Sequence, residues 1–169
     1  WNFNLMNSNS HDAIIIIIMG SKSDLDFCNE IKKILDDYQV YSELRICSAH
    51  RNGEKIINLL HEYEELKIPS AIIAVAGKSN GLGPALASNT TIPVINCPHF
   101  KDGIDYMLNI NSSLILPSNI PVATIINPEN AALFAMRCLN LNRLKELLYK
   151  NILQIKASLE KDDTEIKKS

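Results

Sequence analysis

Five consecutive isoleucines, Ile14 to Ile18, flanked by Ala13 and Met19, leave this chain few ways to place that segment. β-Branched side chains are stiff at χ1 and pack well on a pleated surface, so the run reads as a strand. Neighbouring strand residues point to opposite faces. A strand that is apolar at every position is therefore covered on both faces, the situation of an inner strand in a parallel sheet flanked by helices. The run is far too short to span a membrane.

The rest of the chain repeats the alternation that such a sheet needs. Asp24 to Tyr38 carries Leu25, Phe27, Cys28, Ile31, Ile34 and Leu35 at helical spacing, with Ser23 or Asp24 as N-cap. Strands are expected at Val40–Cys47, Ser70–Val75, Pro93–Asn96 and Val122–Ile126. Helices are expected at Gly53–Lys67, Leu82–Asn89, Asp102–Asn109 and Pro128–Leu139. The first of these would bury Ile56, Ile57, Leu59, Leu60, Tyr63 and Leu66, and Pro84 suits the first turn of the second. The rhythm predicts an α/β fold with a parallel sheet, residues 13–140 forming one α/β domain. From Leu141 onward, Leu144, Leu148, Ile152, Ile155 and Leu159 recur every three or four residues. This marks a long C-terminal amphipathic helix, laid on its own core or reaching a neighbouring subunit, with Lys161–Ser169 as a charged, frayed end. Residues 1–12 are polar and asparagine-rich without signal-peptide character, and read as a leader or a fusion remnant.

Composition narrows the function classes. The chain has 169 residues, 46% hydrophobic and 21% charged, enough for a substantial core. Seventeen basic against nineteen acidic residues give a net charge of −2, which argues against a nucleic-acid partner bound by bulk charge. Cys28, Cys47, Cys97 and Cys138 are scattered, without CxxC spacing, and read as reduced core thiols of a cytoplasmic protein. The histidines lack metal-ligand spacing, so no metal is expected.

Three strand ends carry the chemistry. The first empties into Gly20-Ser21-Lys22-Ser23-Asp24, where backbone N–H groups and two hydroxyls suit a phosphate and Asp24 suits sugar hydroxyls. The same residues would also simply cap a helix. The second ends in Ser48-Ala49-His50-Arg51. His50 is placed as a proton shuttle and Arg51 as a phosphate fork, or the two form a solvated surface pair. The third ends in Ala76-Gly77-Lys78-Ser79-Asn80-Gly81-Leu82-Gly83-Pro84. It offers N–H groups and an ammonium to an anion, or is a turn with a solvated lysine. His99, in Cys97-Pro98-His99-Phe100, is a weaker candidate, and His61 reads as solvated. In a parallel sheet all three loops share one edge. Walker A, dinucleotide GxGxxG and GxSxG patterns do not fit.

Taken in order, Met19-Gly20-Ser21-Lys22-Ser23-Asp24, Ser48-Ala49-His50-Arg51 and Ala76 to Pro84 closely resemble the aminoimidazole ribonucleotide carboxylase family of purine biosynthesis, known as PurE. The likeness runs from about Ala13 through the tail helix. It implies a three-layer αβα sandwich around a flavodoxin-like parallel sheet, assembled as an octamer. The third loop is similar to that of class II, the animal type, which uses carbon dioxide directly, with Lys78 where arginine is usual. It lacks the loop histidine of class I, the N-carboxyaminoimidazole ribonucleotide mutase. Arg51 is similar to the bacterial form.

The resemblance implies carboxylation of 5-aminoimidazole ribonucleotide to the 4-carboxy product, without ATP, metal or biotin. It implies His50, Lys78 and Ser79 as catalytic residues, with Ser21, Asp24 and Arg51 anchoring the ribose phosphate. Gly77, Lys78, Ser79 and Gly81 would hold carbon dioxide and the forming carboxylate. Gly20, Ser23, Ser48, Ala76, Asn80 and Leu82 complete the expected substrate contacts. The alternatives are the class I mutase, a non-enzymatic ribonucleotide- or flavin-binding flavodoxin-like module, and a structural oligomerisation domain.

Overall fold

A computed structural model of the chain describes residues 11–168. The expected leader therefore lies almost wholly outside the described residues. The chain divides into two compact units, one ending at Leu139 and the other beginning at Asn140.

In the first unit five parallel strands form one sheet: β1 Ile14–Met19, β2 Ser42–Ile46, β3 Ser70–Val75, β4 Val94–Asn96 and β5 Ala123–Thr124. Their order is β2-β1-β3-β4-β5, the flavodoxin-like order. Every residue of β1 is buried, as its isoleucine run demands. Helices α1 Leu25–Asp37, α2 Ile56–Glu64, α3 Leu82–Ala87, α4 Gly103–Asn109, α5 Asn111–Leu114 and α6 Pro128–Leu139 cover the sheet and its ends. Ile14, Ile16 and Ile18 share a core cluster with Ile56, Leu59 and Leu60 of α2 and with Leu82 and Leu86 of α3. Ile15 and Ile17, pleated to the opposite face, are also fully covered. On that side α1 and α6 pack on each other and on β1 and β3. Each buried isoleucine or leucine contributes about 1.5–3 kcal/mol relative to exposure.

Several expectations shift in detail. β2 is shorter than Val40–Cys47 because it is an edge strand, paired only with β1. Ile57 is 42% exposed rather than buried, since the apolar stripe of α2 is carried by Ile56, Leu59, Leu60 and Tyr63. Neither Ser23 nor Asp24 caps α1 through its side chain. Ser21 does the capping instead: its Oγ accepts from the Ser23 N–H of a short 3-10 turn, Lys22–Asp24, that leads into α1. The second helix likewise begins with a separate 3-10 turn, Gly53–Lys55.

The second unit is a single long helix, α7 Asn142–Ile166. It continues well past Lys161, where fraying was expected, and ion pairs of i,i+4 spacing between Lys161 and Glu165 and between Asp163 and Lys167 line that end. Leu144 and Leu148 are buried, while Leu153, Ile155 and Leu159 are exposed. Among the described residues no helix is long and apolar enough to cross a membrane.

Candidate active site

The order β2-β1-β3 places the ends of β1 and β3 side by side where the sheet changes direction of growth, the position at which such folds leave a crevice. A cleft of about 530 Å³ opens there, in the range of small-molecule sites. The three loops expected from the sequence converge on it. Gly20, Ser21, Ser23 and Asp24 line it from the end of β1. Ser48, His50 and Arg51 line it from the end of β2, and Ala76, Gly77, Lys78, Ser79, Gly81 and Leu82 from the end of β3.

Hydrogen bonds hold these loops to one another. The Gly20 N–H donates to the Val75 carbonyl at 2.9 Å, and the Cys47 N–H to the Met19 carbonyl at 3.0 Å. Asn52 folds the second loop back: its Oδ1 accepts from the Ser48 N–H at 2.7 Å, while its own N–H donates to the Ser48 carbonyl at 3.0 Å. Arg51 then bridges two loops. Its Nη2 donates to the Gly20 carbonyl at 3.1 Å and its Nε lies 3.4 Å from the Ser48 Oγ. The guanidinium has further N–H donors beyond these two bonds, so it is aimed at the glycine-serine turn with donors to spare for an anion.

The third loop is built for close approach. A Cβ on Gly77 would lie 2.0 Å from the His99 carbonyl oxygen, so only glycine lets the two backbones meet. A Cβ on Gly81 would lie 3.1 Å from both Cε1 and Nε2 of His50, so the imidazole rests directly over this glycine. Between them Ser79 holds a left-handed φ of 43°, and its carbonyl accepts from the Gly81 N–H at 2.6 Å. Of the five non-glycine residues with positive φ among the described residues, only Ser79 lines the cleft. The other left-handed residues include Gln39, Lys67 and Asn140 just beyond helix ends, where such a φ is ordinary. Backbone strain at Ser79 is thus stored where a ligand would sit.

Asn80 is the one expected site residue that does not line the cleft. It is 2% exposed. Its N–H donates to the Ser112 Oγ at 2.8 Å and its Nδ2 to the Ser113 Oγ at 2.9 Å. It braces the loop from behind.

A fourth strand end joins the site. After β4 the chain delivers His99 and Lys101, and α4 delivers Asp105. Lys101 and Asp105 escape a reading based on loops one to three. The signal for them is that Val94–Asn96 also ends in a polar loop, as the first three strands do. His99 Nδ1 donates to Asp24 Oδ1 at 3.2 Å, and its ring stacks on Phe27 with centroids 4.6 Å apart and planes 13° from parallel. The Lys101 N–H, then the Asn109 amide and the Lys78 and Lys101 charges, hold the Asp105 carboxyl below the usual carboxylate range. Burial, with the nearby Asp24 charge, pushes the Cys28 thiol up to about 12. Burial, with Cys28 nearby, does the same to Cys97. All four cysteines are free, and these two stay protonated and without nucleophilic character. Among the described residues no three His, Cys, Asp or Glu side chains gather as metal ligands.

The cleft therefore presents cations (Arg51, Lys78, Lys101), two carboxylates (Asp24, Asp105), two imidazoles and the backbone of a glycine-rich turn. That set can anchor a phosphate at one end, hold neutral hydroxyls beside a carboxylate, and move a proton in the presence of a forming anion.

The chain is similar to known proteins in sequence and in fold. Residues 14–162 match the family model described as AIR carboxylase. The bifunctional phosphoribosylaminoimidazole carboxylase/phosphoribosylaminoimidazole succinocarboxamide synthetase of Rattus norvegicus is 42% identical over 138 residues, 82% of this chain and 32% of that protein. The chain thus spans about a third of such animal relatives. The phosphoribosylaminoimidazole carboxylase of Treponema denticola is 37% identical over 128 residues, 76% of this chain and 80% of that protein. The crystal structure of Treponema denticola PurE superposes with a TM-score of 0.83 at 32% identity, covering 90% of this chain and 98% of that one. The family match spans all five strands and both histidines of the cleft, and the chain belongs to the AIR carboxylase family.

Proposed function

We propose that this chain carboxylates 5-aminoimidazole ribonucleotide at its ring carbon C4, taking carbon dioxide directly and without ATP. The observation that carries the reading is the seat of His50. Its imidazole lies over Gly81, in the same cleft as Lys78, while the next residue, Arg51, turns its guanidinium to the Gly20 loop. A proton acceptor, an anion stabiliser and a phosphate anchor thus share one small volume.

The substrate ring is an electron-rich enamine. Its C4 attacks the carbon of carbon dioxide, a C–C bond forms, and one C=O electron pair moves onto oxygen. The Lys78 ammonium and the N–H groups of Gly77, Lys78 and Ser79 stabilise that carboxylate. C4 is then tetrahedral and still bears its hydrogen. His50 takes this proton, the C–H electrons return to the ring, and aromaticity is restored. His50 is exposed, so the proton passes on to water. Ser21, Ser23 and Arg51 hold the ribose phosphate at the start of α1. The glycine-rich loop offers no histidine to protonate a departing amine, which favours the carboxylase over the mutase reading.

The same reading makes the chain a homo-oligomer, an octamer by its resemblance. Ile104, Met107 and Leu108 on α4 are 71–75% exposed, with Leu114 and Ile115 close behind in sequence, and an apolar surface of this kind marks an association face. Buried free thiols at Cys28, Cys47 and Cys97 suit the reducing cytoplasm. The direct test of the mechanism is His50→Asn. A positioned base contributes about 10²–10⁴-fold, so kcat is expected to fall by that factor while ribonucleotide binding holds. Retention of most activity removes His50 from the proton transfer.

A further inference from the structure

Asp24 occupies a helix N-cap yet makes no cap hydrogen bond with its side chain. Ser21 has taken over the capping of the preceding turn. The carboxylate faces His99 instead, across 75 positions of sequence. His99 is held three ways: Nδ1 on Asp24 Oδ1 at 3.2 Å, ring stacked on Phe27, and backbone carbonyl pressed against Gly77. Phe27 lies three residues beyond Asp24, on the same face of α1. The imidazole side chain is still 34% exposed and that of Asp24 15%, and both line the cleft.

The chemistry of this pair is specific. A carboxylate only accepts hydrogen bonds, so the neutral imidazole presents its N–H at Nδ1 and keeps Nε2 as an acceptor. Asp24 Oδ2 and His99 Nε2 then offer two fixed acceptors to the cleft. A negative side chain repels both the phosphate and the forming carboxylate of the substrate. Those anions belong with Arg51 and Lys78. The part of the substrate that suits two acceptors beside a negative charge is neutral and rich in O–H donors.

We propose that His99 is a specificity-determining residue whose Nε2 accepts from the ribose 2′-hydroxyl while Asp24 accepts from the neighbouring 3′-hydroxyl, and so distinguishes a ribonucleotide from its 2′-deoxy counterpart. This rests on the ribonucleotide reading given above. A site that pairs a substrate hydroxyl discriminates against the analogue lacking it, because its own polar groups are then left unpaired.

The test compares 5-aminoimidazole ribonucleotide with its 2′-deoxy analogue in the full-length wild type, His99→Ala and His99→Asn, by calorimetric binding and steady-state kinetics. For the wild type, kcat/KM is expected to favour the ribonucleotide by at least about tenfold. In His99→Ala, KM for the ribonucleotide rises until this preference is largely gone, kcat changes little, and the deoxy analogue is unaffected. His99→Asn, which keeps an N–H donor for Asp24, recovers part of the preference. Equal weakening of both ligands in His99→Ala marks a merely structural role and overturns the proposal, as does no change in either. A wild type that binds both ligands equally overturns it without any variant, and leaves the carboxylase reading standing. A wild type that binds neither overturns that reading, and this proposal with it.

Discussion

Placing one methyl group at Gly81 tests how closely catalysis depends on the seat of His50. The glycine has φ −80° and ψ −15°, an ordinary right-handed conformation, so Gly81→Ala introduces no backbone strain. What it introduces is a Cβ 3.1 Å from both Cε1 and Nε2 of His50. Comfortable contacts between such atoms lie at about 3.5–4.0 Å, so the imidazole must yield by roughly half an ångström. A misplacement of about 1 Å costs on the order of 10²-fold in rate, and half of that corresponds to about tenfold. The expected result is a tenfold fall in kcat with little change in KM, because Arg51 and the Gly20 loop are untouched. Alanine caps a helix poorly, so the melting temperature drops modestly as well. For that reason kcat is measured at 25 °C, well below the transition. Gly53→Ala and Gly103→Ala are the controls: no atom lies within 4 Å of a Cβ at either site, and wild-type kcat is expected. Gly77→Ala stands at the other extreme, since its Cβ would lie 2.0 Å from a backbone oxygen and the loop must move to admit it. A Gly81→Ala enzyme with wild-type kcat would refute the claim that the His50–Gly81 contact positions the base.

Arg51→Ala is expected to weaken ribonucleotide binding by about 10- to 150-fold, the equivalent of a charge-assisted hydrogen bond of about 1.5–3 kcal/mol. Titration of the phosphate-free nucleoside is the comparison, and equal losses for both ligands would rule out a phosphate role. Leu108→Asp is expected to break the assembly without unfolding the subunit, because Leu108 is 75% exposed in the single chain. Sedimentation velocity reads this directly, and an unchanged oligomer would remove α4 from the interface.

Much of this architecture is legible in the sequence, for identifiable reasons. The isoleucine run forces β1 into the sheet interior, and Asn127-Pro128-Glu129 starts α6 where a proline at N1 should, so Pro128–Leu139 matches residue for residue. The three loops are legible because each is a local signal at a strand end. What local reading misses is decided by distant partners. Asn80 sits among cleft residues in sequence, yet Ser112 and Ser113 turn it inward from more than thirty positions away. Asp24 sits at the N-cap that its sequence position suggests, yet its side chain makes no cap hydrogen bond and instead meets His99, brought alongside by the parallel sheet. Lys101 and Asp105 enter the cleft because β4 lies next to β3, an adjacency that strand order alone reveals. Ile57 follows helical spacing only loosely, and the packing of α2 on the β1 isoleucines decides which side is covered.

In the proposed reaction carbon dioxide itself is the reactant. The purified chain is given the N-carboxy isomer of the substrate, with and without a coupled enzyme that consumes free carbon dioxide as it appears. A parallel reaction receives 5-aminoimidazole ribonucleotide with dissolved carbon dioxide and no ATP. The parallel reaction is expected to yield 4-carboxy product at a rate set by the carbon dioxide concentration. Product from the isomer is expected to form no faster than spontaneous decarboxylation and to cease when carbon dioxide is removed. Rapid conversion of the isomer while free carbon dioxide is being removed would show that the carboxyl group never leaves the site, and the chain would be a mutase.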